Sequence, residues 1–173
     1  FRLCPAFTPM EERDALLEQT RRYFTNYGPT SIRDAAYYFD TSQAEIKKRL
    51  ARLPVEVAEC EGQRLFSLHS GRMPEQAIPD CLLLAGFDPL VLGYEKKQSI
   101  FLPQEYLRGI FSLSGIVMPP VLLHGSVAGR WKHSGKHLLI TQFRPFSQEE
   151  RGFAETAAAQ LWDEAVQPVF QDA

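Results

Sequence analysis

No run in this sequence is long or apolar enough to serve as a membrane span or a secretory leader. Cysteine is scarce: Cys4, Cys60 and Cys81 are odd in number, scattered and without a CxxC pair. That excludes a disulfide framework and fits a reducing cytosol, so the expected location is cytoplasmic (at the nucleoid in a bacterium). Charge of one sign is also missing. There are 19 Lys and Arg against 21 Asp and Glu, a net charge of −2, so bulk charge does not draw the chain to a polyanion. Residues 1–72 hold 11 basic and 10 acidic residues and residues 73–173 hold 8 and 11, so any nucleic-acid surface has to be local. There is no internal repeat, Ser-His-Asp arrangement, phosphate loop, HExxH or dinucleotide glycine motif. His133 and His137 stand four apart, but across a turn and with no Cys or paired carboxylates near in sequence. No metal site and no cofactor are expected.

What is present is enough apolar sequence for a core: 45% of the 173 residues are hydrophobic and 23% charged. The most informative stretch runs from Ser31 to Leu68. Ile32, Ala35, Ala36 and Phe39 share one helical face. Asp40-Thr41 is a short turn, and Ser42 with Glu45 reads as a capping box that starts a new helix. Ile46, Leu50 and Leu53 give that helix one apolar stripe, and Pro54 stops it. Val55 to Cys60 and Gln63 to Leu68 read as two strands joined at Glu61-Gly62. Helix, tight turn, helix and hairpin is the layout of a winged helix-turn-helix, which sets a helix in a DNA major groove.

Upstream, Thr8-Pro9-Met10-Glu11 reads as a helix start, with Leu16, Thr20, Tyr23, Phe24 and Tyr27 on one face and Gly28-Pro29 as the end. Ser70 to Pro79 reads as a linker. Beyond it, Cys81 to Ala85 is strand-like and Gly86 to Pro89 a turn, while residues 90–110 are ambiguous, read as a short helical turn and a strand. Met118 to Leu123, Ser126 to Lys132 and His137 to Phe143 form an antiparallel meander, turning at His124-Gly125 and across His133 to Lys136. Ser147 to Glu150 is a capping box opening a helix to about Val166, with Phe153, Ala157, Leu161 and Ala165 inward. The expected class is α+β: a winged helix-turn-helix domain over 1–72, a linker over 73–79, and over 80–173 a small antiparallel sheet or barrel with a C-terminal helix.

Two local basic sites stand out. Opposite the Ile46-Leu50-Leu53 stripe lie Ala44, Lys48, Ala51 and Arg52, with Lys47 at the flank. Two small residues and long cations suit close approach to a phosphate backbone, and a solvated helix face is the bland alternative. The tip of the first hairpin carries Glu59 and Glu61, which repel phosphates. The second site is the run Arg130, Trp131, Lys132, His133, Ser134, Gly135, Lys136, His137, whose cations surround a turn. A cationic hairpin can track a backbone or enter a groove, or it can simply blunt a sheet edge. Asp88 before Pro89 is either a functional acid in a loop or the cap of its own turn.

The runs LAGFDPLVLGY at 84–94 and GIVMPPVLLHGSVAGRWK at 115–132, with Arg22-Tyr23-Phe24, Tyr27-Gly28-Pro29-Thr30 and Asp34 upstream, resemble the C-terminal part of the tandem winged-helix proteins that include AlkZ/YcaQ-type DNA glycosylases. Those enzymes unhook DNA interstrand crosslinks. The resemblance covers most of residues 15–165. It implies tandem winged helices followed by a small β-barrel, a clamp on double-stranded DNA, and a barrel hairpin at His133 to His137 that approaches a groove. The family's catalytic Gln pair, or Gln and Asp, lies in an N-terminal winged helix and has no match here; it would precede Phe1. Many glycosylase members carry arginines soon after the Phe-Asp-Pro element, where this chain reads Gly93-Tyr94-Glu95-Lys96-Lys97.

The leading expectation is therefore a DNA-binding winged-helix module, the C-terminal part of a repair-type protein. It partners double-stranded DNA and neither a membrane nor a small-molecule cofactor. Its candidate contacts are Lys47, Lys48, Arg52, Arg130, Lys132, His133, Lys136 and His137. One alternative is a glycosylase acting on alkylated or crosslinked bases with its catalytic motif upstream; another is a winged helix used for protein contact. Catalytic residues stay unassigned.

Overall fold

The computed structural model describes residues 8–60, 62–68, 78–162 and 166–173. The chain divides into two compact units, residues 1–73 and 74–173. Most of the expected linker, together with Cys4, Glu61 and Ala165, lies outside the described residues. No helix among the described residues is long and apolar enough to cross a membrane.

The first unit has helices α1 (Glu12–Asn26), α2 (Ile32–Tyr38) and α3 (Gln43–Leu50), then strands β1 (Glu56–Cys60) and β2 (Gln63–Ser67) in an antiparallel hairpin. Its core is Tyr23, Phe24, Ala35, Ala36, Ile46 and Leu50, the stripes expected from periodicity. Ser31 caps α2 in a full capping box with Asp34. Asp34 also accepts from the Thr30 hydroxyl at 3.3 Å, and the Thr30 hydroxyl lies 3.2 Å from that of Tyr23. The hairpin is fastened to this network, because Thr30 and Phe66 exchange two backbone hydrogen bonds of 3.0 and 2.8 Å. Gly28 lets the chain pass: a Cβ there would lie 2.4 Å from the Phe24 carbonyl oxygen.

Two boundaries and one cap differ from the sequence reading. α1 begins at Glu12, and its cap, Glu11, makes no side-chain hydrogen bond. Residues 8–10 are exposed and lie outside the helix, so Thr8-Pro9 does not start it. The Ser42 box is half formed: Ser42 accepts from the Glu45 N–H, but the Glu45 carboxylate turns to Arg49 at 3.4 Å and Lys48 at 3.7 Å. α3 stops at Leu50, four residues before Pro54, in a tighter turn where Arg52 and Leu53 donate to Arg49 and Leu50.

The second unit is a five-stranded sheet, β3 (Cys81–Leu83), β4 (Pro120–Leu123), β5 (Ser126–Ser134), β6 (His137–Gln142) and β7 (Gln167–Asp172), in that spatial order. β3 to β6 are antiparallel throughout, as residues 80–145 were expected to be. β7 was not expected. It runs parallel to β6, because α6 (Gln148–Leu161) ends five residues short of Val166 and the chain then has room to return to the sheet. The buried line of α6 is Ala154 and Ala158, with Phe153 and Ala157 half-buried, whereas Leu161 is exposed rather than inward. His124 and Gly125, at φ 49° and 80°, make the expected two-residue turn. β5 is two residues longer than expected, so the next turn shortens to Gly135-Lys136. α4 (Pro89–Leu92) and α5 (Leu107–Ile110) occupy the ambiguous region. One face of the sheet packs Val121, Leu123, Leu138 and Ile140 against α6. A second cluster, with Ile110, Phe111, Leu122 and Val127, gathers about α5. Burial pushes the Cys81 thiol up to about 11, which makes it a packing group.

The start of α6 is electrostatically tied. Glu150 accepts from Arg144 through both oxygens, at 2.5 and 3.0 Å, and from the Ser147 N–H at 2.8 Å. The Arg144 hydrogen bonds, helped by Ser147 and opposed by burial, hold its carboxyl down from 4.5 to about 2. The folded value lies below the unfolded one, so this stabilisation is complete above about pH 4.5 and is lost as pH falls towards about 2. Glu150→Gln should lower the melting temperature at pH 7 and flatten the acid limb of a melting-temperature profile across that window. Parallel profiles for the two proteins would contradict it.

Candidate nucleic-acid interfaces

In the first unit, fastening β2 to the start of α2 opens a groove of about 390 Å³ between α2, α3 and the hairpin. Its lining includes Arg33, Lys47 and Arg64 with Gln43 and Gln63, and no Asp or Glu among the described residues. Arg64 is carried over the Phe66 ring, 5.7 Å from its centre, which holds the guanidinium at the rim. Glu59 stands opposite Arg64 in the hairpin ladder, outside the lining. Three cations and two amides around an open trough are suited to a run of phosphates.

The expected trio on α3 divides. Lys47 opens onto this groove. Lys48 and Arg52 line another cleft, of about 290 Å³, together with Glu12, Arg13 and Glu45 of α1 and α3. Lys48 lies 3.7 Å from Glu45, and Arg52 lies 3.9 Å from Asp14. These two cations are exposed but already have carboxylate neighbours. Sequence reasoning missed Arg33 and Arg64. Each sits beside an apolar residue that packs inward, and only the Thr30–Phe66 pairing, between residues distant in sequence, brings the two together.

In the second unit, strand alternation sorts the expected cationic run onto two faces. Trp131 and His133 lie on one side: the His133 ring stacks on Trp162 at 5.2 Å with 8° between the planes, and Trp131 meets the same ring edge-on at 5.6 Å. His133 remains exposed beside that stack. Arg130 and Lys132 lie on the other side, where Arg130 donates to the Gly109 carbonyl at 3.4 Å. Lys132, Lys136 and His137 are exposed at the outer end of the β5–β6 hairpin, and the Lys136 carbonyl accepts from the Gln167 N–H at 3.1 Å. The hairpin is thus anchored by β7 and Trp162 while its cations stay in water. Asp88 caps α4 by accepting from the Leu90 N–H at 2.8 Å, the bland option for that residue. Among the described residues no group of three or more His, Cys, Asp or Glu is placed to hold a metal.

A family model described as DNA glycosylase AlkZ-like matches residues 2–165. An interstrand DNA cross-link repair glycosylase of Streptomyces sahachiroi is 28% identical over 139 residues, covering 76% of this chain and 37% of that protein. The chain spans little more than a third of that curated relative's length. The solved structure of Streptomyces sahachiroi DNA glycosylase AlkZ matches over 96% of this chain and 48% of its own, with a TM-score of 0.78 at 22% identity. The two share a fold.

The ion pairs of Lys48 and Arg52 are solvent-exposed, and such pairs contribute about 0–1 kcal/mol each. Lys48→Ala and Arg52→Ala should therefore each change unfolding free energy by no more than about 0.5 kcal/mol. Urea titration of each variant checks this; a loss several times larger would make the Asp14 and Glu45 contacts structural.

Proposed function

The chain belongs to the AlkZ-like DNA glycosylase family, and from that premise we propose that it binds double-stranded DNA through two cationic surfaces. One is the α2–α3–hairpin groove of the first unit, the winged helix-turn-helix domain. The other is the β5–β6 hairpin of the second. The convergence of Arg33, Lys47 and Arg64 on one groove is the observation that carries the reading, in a protein whose net charge is −2. Attraction for phosphate has to be concentrated in such places. Lys48 and Arg52 add to it from the α1 side. In the second unit Lys132, Lys136 and His137 contact the backbone, while His133, stacked on Trp162, and Arg130, bonded to the Gly109 carbonyl, set the hairpin. Binding of this kind tolerates sequence, because phosphate contacts position a protein without reading bases.

In this reading the chain grips DNA, and base release is not its own activity. Cleaving an N-glycosidic bond needs a positioned water and an acid-base group. Asp88, the one acid singled out from the sequence, is occupied as a helix cap. The curated relative's crosslink repair favours a second reading, in which this chain too acts on alkylated or crosslinked bases.

Fluorescence anisotropy with a labelled duplex across a salt series tests the proposal. If about four cations reach phosphates, log K should fall against log salt with a slope near −3.6. Lys47→Ala with Arg64→Ala should weaken every sequence alike and make the slope shallower by about 2 units. Lys48→Ala with Arg52→Ala should cost less, because those side chains already have carboxylate neighbours. Unchanged affinity in a folded Lys47/Arg64 double variant would remove the groove from the interface. Base release by the purified chain, abolished by Asp88→Asn, would favour the second reading.

A further inference from the structure

Between α5 and β4 the chain makes a small hairpin that the two cationic surfaces leave unused. Phe111 and Val117, both buried, pair across its base as an antiparallel bridge. Inside it the Ser112 N–H donates to the Ile116 carbonyl at 2.9 Å, and the Ile116 N–H donates to the Ser112 hydroxyl at 2.9 Å. Gly115, at φ +81°, closes the turn. Below, the Met118 N–H donates to the Ile110 carbonyl at 2.8 Å, and the Lys96 ammonium lies 4.4 Å from the centre of the Phe111 ring. The stalk is therefore held by backbone and side chain alike. Its tip is apolar and in water: Leu113 is 89% exposed and Ile116 48%.

The surroundings indicate what the tip meets. Arg108, exposed, lies in the helix that leads into the hairpin. Arg130 reaches the Gly109 carbonyl of the same helix, so the β5 face bearing Arg130, and two residues on Lys132, is the face on which this helix sits. An apolar projection beside cations matches a stack of bases edged by phosphates.

We propose that Leu113 is a wedge that enters between stacked base pairs of bound duplex, with Ile116 beside it, unstacking and bending the DNA. The inference rests on the duplex-binding reading and extends it: the second unit deforms the DNA it holds. Opening a stack lowers the cost of exposing a base, which is what a protein of a glycosylase family has to do.

The full 173-residue chain is titrated onto short duplexes carrying 2-aminopurine at successive positions and dyes at both ends, with anisotropy read in the same samples. Binding should raise 2-aminopurine emission several-fold and bring the ends closer. Leu113→Ser should abolish both changes yet keep the salt slope, since no phosphate contact is removed, and Leu113→Phe should restore the emission. Leu113 is in water, so the variants should melt with the parent. Emission that persists in Leu113→Ser, or wild-type binding without any rise or bend, overturns the wedge and leaves duplex binding standing. Absence of anisotropy change with the wild-type chain removes both readings. Self-association that depends on Leu113, with DNA emission unaffected by Leu113→Ser, makes the tip a protein contact and also overturns the proposal.

Discussion

Thr30 and Phe66 exchange two backbone hydrogen bonds, and the first unit's surface chemistry depends on that exchange. The hairpin it holds has little else on its outer side, for every residue of β1 is exposed. A two-stranded hairpin alone in water is marginal. Here β2 is pinned at Thr30, at Leu65 in the core, and again where the Leu68 N–H donates to the Phe24 carbonyl at 3.1 Å. Thr30 is held in turn by the Tyr23 hydroxyl and the Asp34 carboxylate, so the pin is part of a buried polar network with its groups satisfied. Arg33 and Arg64 stand at one groove because this pin fixes the register between a helix start and a strand.

The second unit reaches a comparable result by pleating. Small residues on α6, Ala154 and Ala158, allow the helix to pack closely on one face of the sheet. The bulge between Val121 and Leu122 resets the alternation, after which β5 runs without interruption from Gly129 to Ser134. Consecutive residues therefore belong to different environments. Trp131 and His133 join an aromatic stack with Trp162, while Arg130 and Lys132 face the α5 side. A run that reads as one basic cluster becomes an aromatic anchor on one face and cations on the other.

The parts legible in the sequence were those fixed by local physics. Helical stripes around Phe24 and Ile46, the cap at Ser147, and the turn at His124-Gly125 all follow from periodicity and turn chemistry over a few residues. The parts that were not legible depend on distant partners. β7 pairs in parallel with β6, and nothing within Gln167 to Asp172 announces it. α1 begins at Glu12 with Glu11 as its cap, so the Thr8-Pro9 signal did not set the boundary. The candidate contacts followed the same division. Lys47 could be placed on an outward helix face from sequence, but its meeting with Arg64, and that of Arg52 with Asp14, depend on chain segments far away. The Phe-Asp-Pro and Gly-Arg-Trp-Lys runs pointed to the family through residues that build the fold: Asp88 caps a helix, and the Trp131 indole N–H donates to the Leu84 carbonyl at 2.8 Å.

If duplex DNA meets this chain at the Arg33–Lys47–Arg64 groove and at the β5–β6 hairpin, backbone amide spectra of the isotope-labelled chain, titrated with duplex at low and then high salt, should show it. Shifts should concentrate at residues 32–33, 43–47, 63–66 and 132–137 and fade as salt is raised, with the Ala154–Ala158 stretch of α6 unmoved. Shifts centred on α6, or a duplex that binds and leaves the groove residues unchanged, would contradict it.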